Sequence, residues 1–410
     1  MMKRLILLLL LPSTLIAQEN QYNITWESNL LFESNGLHRA FLNSMLFGGN
    51  ITDVMKSEWI ASGNKNNIIN SNISNGLSIT YNSNKENIGF SFADVNILNV
   101  SFTDDLLRLA FEGNFHHQGK ILDFSGTSIR ANRFQQYKVT YGRARKNLKI
   151  NGGVSYLAGN HHLSYLIKNG SLYTAPLGTY LDVEYSMNAF ITDTSNFSAF
   201  TNNGNGVAFD FSTDLDIQKY QIHFSLSNLG FIMWNTSSVT LATDSTFSFQ
   251  GTEVDDIFNF NDSVLDANNI QEDIIKTKNN PFKSYIPATV ILSVSGSTEF
   301  KYLKTYNAGI IAKWQPYMDN TLLSFSKINQ GFRESNYKPL YYIHSVFNTR
   351  YYDVLPSLSY GGYSENTQIG LAISKGKKNK FVIGTHHLED VFNGDKAEAV
   401  SLYFNIQIKF

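Results

Sequence analysis

The 410-residue chain has no cysteine. That excludes a disulfide framework, a thiolate metal site and a lipidated N-terminal cysteine. Charge is also scarce. Charged residues make up 16% of the chain, against roughly 25% in an average soluble protein. The signs nearly cancel, with Lys+Arg 33 against Asp+Glu 34, a net charge of -1. The concentrated positive charge of a nucleic-acid binder is therefore missing. Proline is rare, at 7 residues. Nowhere is there an apolar run of about 18 residues, the length a membrane-crossing helix needs. An exported chain without such a helix is integral to a membrane only as a closed barrel, because only closure leaves no backbone group unpaired in lipid.

What the chain does have is aromatic side chains: Phe 30, Tyr 22 and Trp 4. It opens on "MMKRLILLLLLPSTLIAQ". Lys3 and Arg4 form a positive start, Leu5 to Leu11 an apolar core, and Pro12 breaks it. The apolar stretch is too short for a membrane helix and reads as a signal peptide over 1–17, with mature numbering from Gln18.

After it, period-2 alternation recurs. In "NIGFSFA" Ile88, Phe90 and Phe92 share one face, and in "QYKVTYG" Tyr137, Val139 and Tyr141 do. In "GVAFDFS" Val207, Phe209 and Phe211 oppose Asp210 and Ser212; in "YQIHFSLS" Tyr220, Ile222 and Phe224 oppose Gln221 and His223. Turn clusters rich in Asn, Gly, Ser and Lys separate such segments, as at 82–87, 201–206 and 375–380. Alternating stretches of about ten residues between turns predict an all-β fold, a transmembrane antiparallel barrel of about 14 strands, with 12–16 as the range.

Short helices are expected too. Thr52 caps "TDVMKSEWIASG" and Gly63 stops it; Thr103 and Gly113 do the same for "TDDLLRLAFEGN". The acidic stretch 252–283 reads as a long loop or short helical cap, with a lumen plug as the alternative. Residues 18–62 read as an N-terminal plug or periplasmic cap, and 63–410 as the barrel.

Several segments carry a resemblance: "MLFGGNI" (45–51) before a helix, "NVSFTDDLLRLAFEGN" (99–114) leading to "GKILDFSGTSIR", "RFQQYKVTYG" (133–142), "SLSNLGFIMW" (225–234), "YIPATVILSVSGS" (285–297) and "HHLEDVFN" (386–393). In this order the chain resembles an uncharacterised family of Bacteroidota outer-membrane barrels. That family is similar to long-chain fatty-acid transporter-like barrels and to porin-like barrels of type IX secretion. The resemblance implies an outer-membrane barrel, and it implies no catalytic residue.

No constellation of reactive residues stands out. Three pairs, His116–His117, His161–His162 and His386–His387, consist of adjacent residues. On a strand these point to opposite faces and cannot chelate one metal. "DDIFNFNDSVLD" lacks the glycine and terminal glutamate of a calcium loop. Asp210, Gln221 and His223 lie on polar faces and are expected to line the lumen. No catalytic residue, metal or cofactor is expected, and the chain reads as a non-enzyme.

Two functions fit. One is passive transport of a small or hydrophobic solute across the outer membrane. The other is a scaffold or secretion accessory that docks to another envelope protein. The final strand, "SLYFNIQIKF", places Leu402, Phe404, Ile406, Ile408 and Phe410 on one face. Those five read as lipid-facing and as the signal that barrel-assembly machinery recognises. The expected partners are therefore outer-membrane lipid, that machinery and an envelope protein, with no nucleic acid.

Overall fold

The computed structural model describes residues 21–48, 50–193, 198, 200–249, 276–317, 325–376 and 378–410. Each alternating segment needs a neighbour to take its backbone N–H and C=O groups. The chain meets that need by closing on itself. Fourteen antiparallel strands form the wall. They are β1 (Gln21–Ser34), β2 (Asn66–Asn82), β3 (Glu86–Thr103), β4 (Ser128–Arg145), β5 (Leu148–Thr174), β6 (Gly204–Ile217) and β7 (Tyr220–Trp234). The circuit continues through β8 (Ala288–Ser297), β9 (Leu303–Trp314), β10 (Lys338–Asn348), β11 (Asp353–Gly362), β12 (Asn366–Lys375), β13 (Lys380–Thr385) and β14 (Ala399–Lys409). The seam runs from Asn23 opposite Lys409 to Glu33 opposite Ala399. Across it Trp26 meets Phe404 edge to face, 4.7 Å between centroids.

One face of this wall is apolar and open. Trp26, Leu77, Ile79, Phe90, Val139, Phe209, Ile343 and Ile373 are all exposed, while their sequence neighbours turn inward. So large an apolar band is the outer surface of a barrel built for lipid. Among the described residues five short turns, at 83–85, 146–147, 218–219, 298–302 and 349–352, lie at one end. Helices and longer connections gather at the other.

Part of the stretch 18–62 is wall, not plug or cap. Its residues 21–34 are β1, paired along both edges; residues 18–20 lie outside the described part. The alternation of Tyr22, Ile24 and Trp26 is blurred by Ser28 and by the run Leu30–Leu31–Phe32, which conceals a strand from any reading of period alone. The rest of the stretch forms α1 (Arg39–Phe47) and α2 (Asp53–Ser62) at the long-loop end. With α3 (Asp104–Glu112) they bury Leu37, Phe41, Trp59, Ile60 and Leu107 in one cluster. Thr52 accepts from the Met55 amide and Thr103 from the Leu106 amide, the caps expected from sequence.

Strand β5 outgrows the wall. Its 27 residues pair with β6 only over Leu148–Gly159. From Leu163 onward it pairs instead with an accessory strand, Leu181–Ile191, which pairs in turn with Val239–Phe249. Asn160 is the extra residue of a bulge at this branch. Its side chain donates to Gln135 Oε1 at 2.8 Å and to the Thr201 carbonyl at 2.6 Å. One hydrogen-bonded side chain thus holds the point where the wall divides. Residues 1–17 and most of 252–283 lie outside the described part; Lys276–Asn279 is a short strand within the latter, and another, Lys283–Tyr285, begins at its last residue.

Candidate functional site

Asp210, Gln221 and His223 lie on β6 and β7, the strands joined by the 218–219 turn, and each pairs with a neighbour. Asp210 takes Lys138 Nζ at 2.9 Å and the Asn228 amide at 3.1 Å. Asn228 has a φ of 59° and breaks the register between β6 and β7, so Asp210 caps a bulge. His223 Nδ1 lies 2.6 Å from Asp214 Oδ1, and Gln221 donates to Asp216 Oδ1 at 2.8 Å. These are cross-strand pairs within a polar lining. Nothing converges on them.

The strongest convergence lies nearer the other end. Strand register sets Glu33 opposite Asn70, Asn70 opposite Asn99, Asn99 opposite Arg130, and Arg130 opposite Ser164. Because register and face both match, five polar residues from β1 to β5 form one inward row. All are buried, Arg130 at 3% exposure and Glu33 at 4%. An inward charge in an open pore would be wet. Burial means something fills the lumen at this level.

That something includes the described parts of the connection between β9 and β10, residues 315–317 and 325–337. It leaves β9 at Trp314 and carries α4 (Phe325–Glu334). Arg130 reaches across to it, donating to the carbonyls of Gln315 at 2.9 Å, Pro316 at 3.4 Å and Glu334 at 2.7 Å. Its guanidinium also lies 3.9 Å from the centre of the Tyr317 ring. Glu334 is the last residue of α4, where unpaired carbonyls make the helix end negative. Thus a buried cation is balanced by a helix terminus instead of a carboxylate. Farther along, Asn336 donates to Asn99 Oδ1 at 3.0 Å. Against the near wall, Trp314 Nε1 donates to the Ile328 carbonyl at 3.1 Å. A Cβ at Gly331 would strike the Trp314 ring, so only glycine lets α4 lie this close.

Glu33, at the start of the row, has its own partners. Gln368 Nε2 lies 3.2 Å from it and His387 Nε2 3.4 Å. Lys313 Nζ sits 4.7 Å from the ring centres of both Tyr337 and Tyr363. Burial pushes both phenol groups above their ordinary range, so each stays neutral. Together these groups make a belt across the lumen in which Lys313 and Arg130 face Glu33.

Beside the belt is an aromatic layer. Trp234, Phe282, Phe134, Leu157 and Ile232 are buried together, with Phe190 packed against them. His162 packs at a tilt against Trp234 at 5.5 Å and Phe282 at 5.3 Å, and its Nδ1 lies 2.6 Å from Asn132 Oδ1. Of the other paired histidines, His117 lies 2.8 Å from Glu112 and His387 Nδ1 3.1 Å from Ser401. Among the described residues no three His, Asp or Glu side chains form a metal cluster.

Sequence reasoning missed the belt. Its only trace is a lone charge on an otherwise alternating segment: Glu33 in "LFES", Arg130 in "SIRAN" and Lys313 in "IIAKW". Of the five C-terminal residues, Leu402, Ile408 and Phe410 are exposed and Phe404 and Ile406 half-buried, and between them Asn405 donates to Glu27 Oε1 at 2.8 Å.

A closed strand circuit with this outer band matches one family model, over residues 18–385. The chain belongs to that family, described as a family of unknown function (DUF5723). No curated protein matches it. Solved barrels similar to this member include the toluene transporter TodX of Pseudomonas putida, at 8% identity and TM-score 0.41, covering 96% of this chain and 90% of that one. A Pseudomonas aeruginosa FadL homologue matches at 8% identity and TM-score 0.39, over 96% and 90%. The Ralstonia pickettii toluene transporter TbuX matches at 8% and 0.37, over 96% and 89%. Likeness this distant carries no functional weight, and the fold rests on the chain's own strand pairings.

Proposed function

We propose that the protein is an outer-membrane barrel through which a small solute diffuses passively, with residues 315–317 and α4 to Tyr337 as its gate. The short-turn end faces the periplasm in this reading, as barrel turns usually do. One observation carries it. The described parts of the β9–β10 connection, 315–317 and 325–337, lie against the opposite wall and are held there by side-chain contacts at Arg130 and Asn99. A connection held that way is released without breaking the wall.

The test is conductance of the purified full chain in planar bilayers. The native protein is expected to be closed or rarely open. Arg130→Ala is expected to raise the open fraction while the barrel stays heat-modifiable. If the folded variant is as silent as the native protein, passage is wrong and the scaffold reading replaces it.

A further inference from the structure

Above the belt, between α4 and the tops of β2, β3 and β10, lies a cavity of about 700 Å³. Three cations line it: Lys65 from the corner before β2, Arg333 from α4 and Lys338 from the start of β10. One carboxylate, Glu365, accompanies them. The nearby Glu334 carboxylate is already engaged by the Tyr317 amide at 2.6 Å and by Gln330 at 2.6 Å. None of the three cations forms an ion pair with a described residue. All three are exposed, and like charges gathered around one opening repel each other. Here three separate elements hold them at one opening.

The rest of the lining is mixed, with Ile68, Ala312, Phe332 and Pro339 set beside polar groups. Asn66, Asn329 and Ser101 offer amide and hydroxyl groups able to donate to and accept from hydroxyls. Asn35 and Asn64 also line it but are spent on structure, donating to the carbonyls of Asn66 and Asn35. Deeper in, Arg130 and Lys313 against Glu33 continue the excess of positive charge.

We infer that this vestibule binds a small hydroxyl-rich anion, carrying a carboxylate or a phosphate, before it passes the belt. The inference rests on the gated-passage reading for its role, although binding is measured without passage. Cations at a mouth raise the local concentration of an anionic solute and give it an ionic-strength-dependent entry rate. The neutral amides and hydroxyl then discriminate a sugar-like body from a bare ion.

The test is calorimetric titration of the full chain in detergent at low salt with glucuronate, glucose 6-phosphate and glucose. The two anions are expected to bind at least about tenfold more tightly than glucose, a difference of about 1.4 kcal/mol. Their affinity should fall as salt rises. The triple variant Lys65→Gln, Arg333→Gln, Lys338→Gln should lose most of that preference. Glu365→Gln should strengthen anion binding, and so keeps the inference testable should the triple variant fail to fold. Equal binding of all three probes, or an unchanged preference in the folded triple variant, overturns it. Anion binding by a barrel whose Arg130→Ala variant never conducts would leave the site standing and remove the gate.

Discussion

Arg130 is the side chain on which the proposed gate chiefly rests. Its charge lies at 3% exposure and is met by three carbonyls and a ring, with no carboxylate among its hydrogen-bond partners. A planar guanidinium donates in several directions at once, whereas an ammonium is a compact point charge. Arg130→Lys is therefore expected to behave like Arg130→Ala in bilayer recordings, despite keeping the charge. Trp234 makes the opposite kind of contribution. It is 2% exposed, and its Nε1 donates to Ser284 Oγ at 2.7 Å. Trp234→Ala should destabilise the barrel by about 3–5 kcal/mol, read as a lower denaturant midpoint in refolding measurements.

At the scale of elements, α4 and the closing strand matter most. α4 touches β9 through the absence of a side chain at Gly331, beneath Trp314. Gly331→Leu should push the helix off its seat and raise conductance without changing the strand signature in circular dichroism. Strand β14 carries Leu402, Phe404, Ile406 and Ile408 in a row on one face beside β1, and Phe410 follows it, its amide donating to the Tyr22 carbonyl. If that row is also the assembly signal, Phe404→Asp with Phe410→Asp should reduce the folded, heat-modifiable barrel recovered from the outer membrane. Normal recovery would leave the row a lipid contact alone.

For the whole molecule, the decisive relation is between the β9–β10 connection and the opposite wall. The absence of native cysteine makes this directly testable. Asn99 and Asn336 touch through their amides at 3.0 Å. In the double variant Asn99→Cys, Asn336→Cys, oxidation is expected to hold the lumen shut and reduction to restore gating. Combining the pair with Arg130→Ala should make conductance depend on reductant. A variant that conducts equally when oxidised would mean that residues 315–317 and α4 to Tyr337 need not move.

Period-2 alternation, scarce charge and abundant aromatics determined that this is a barrel, because a wall with lipid on one side leaves its mark in every second residue. Thr52 and Thr103 likewise named their helices, since a cap is a local interaction. Residues 21–34 were hidden because Ser28 and the run Leu30–Phe32 spoil a local pattern that only β2 and β14 complete. The belt was beyond sequence for a stronger reason. Glu33, Arg130 and Lys313 are each one unremarked charge, separated by 97 and 183 positions along the chain. Strand register brings Glu33 and Arg130 into one row, and closure of the sheet sets Lys313 across from Arg130. Only the tertiary structure decided that the lumen is filled at that level, because the filling segment is held by contacts between residues far apart in sequence.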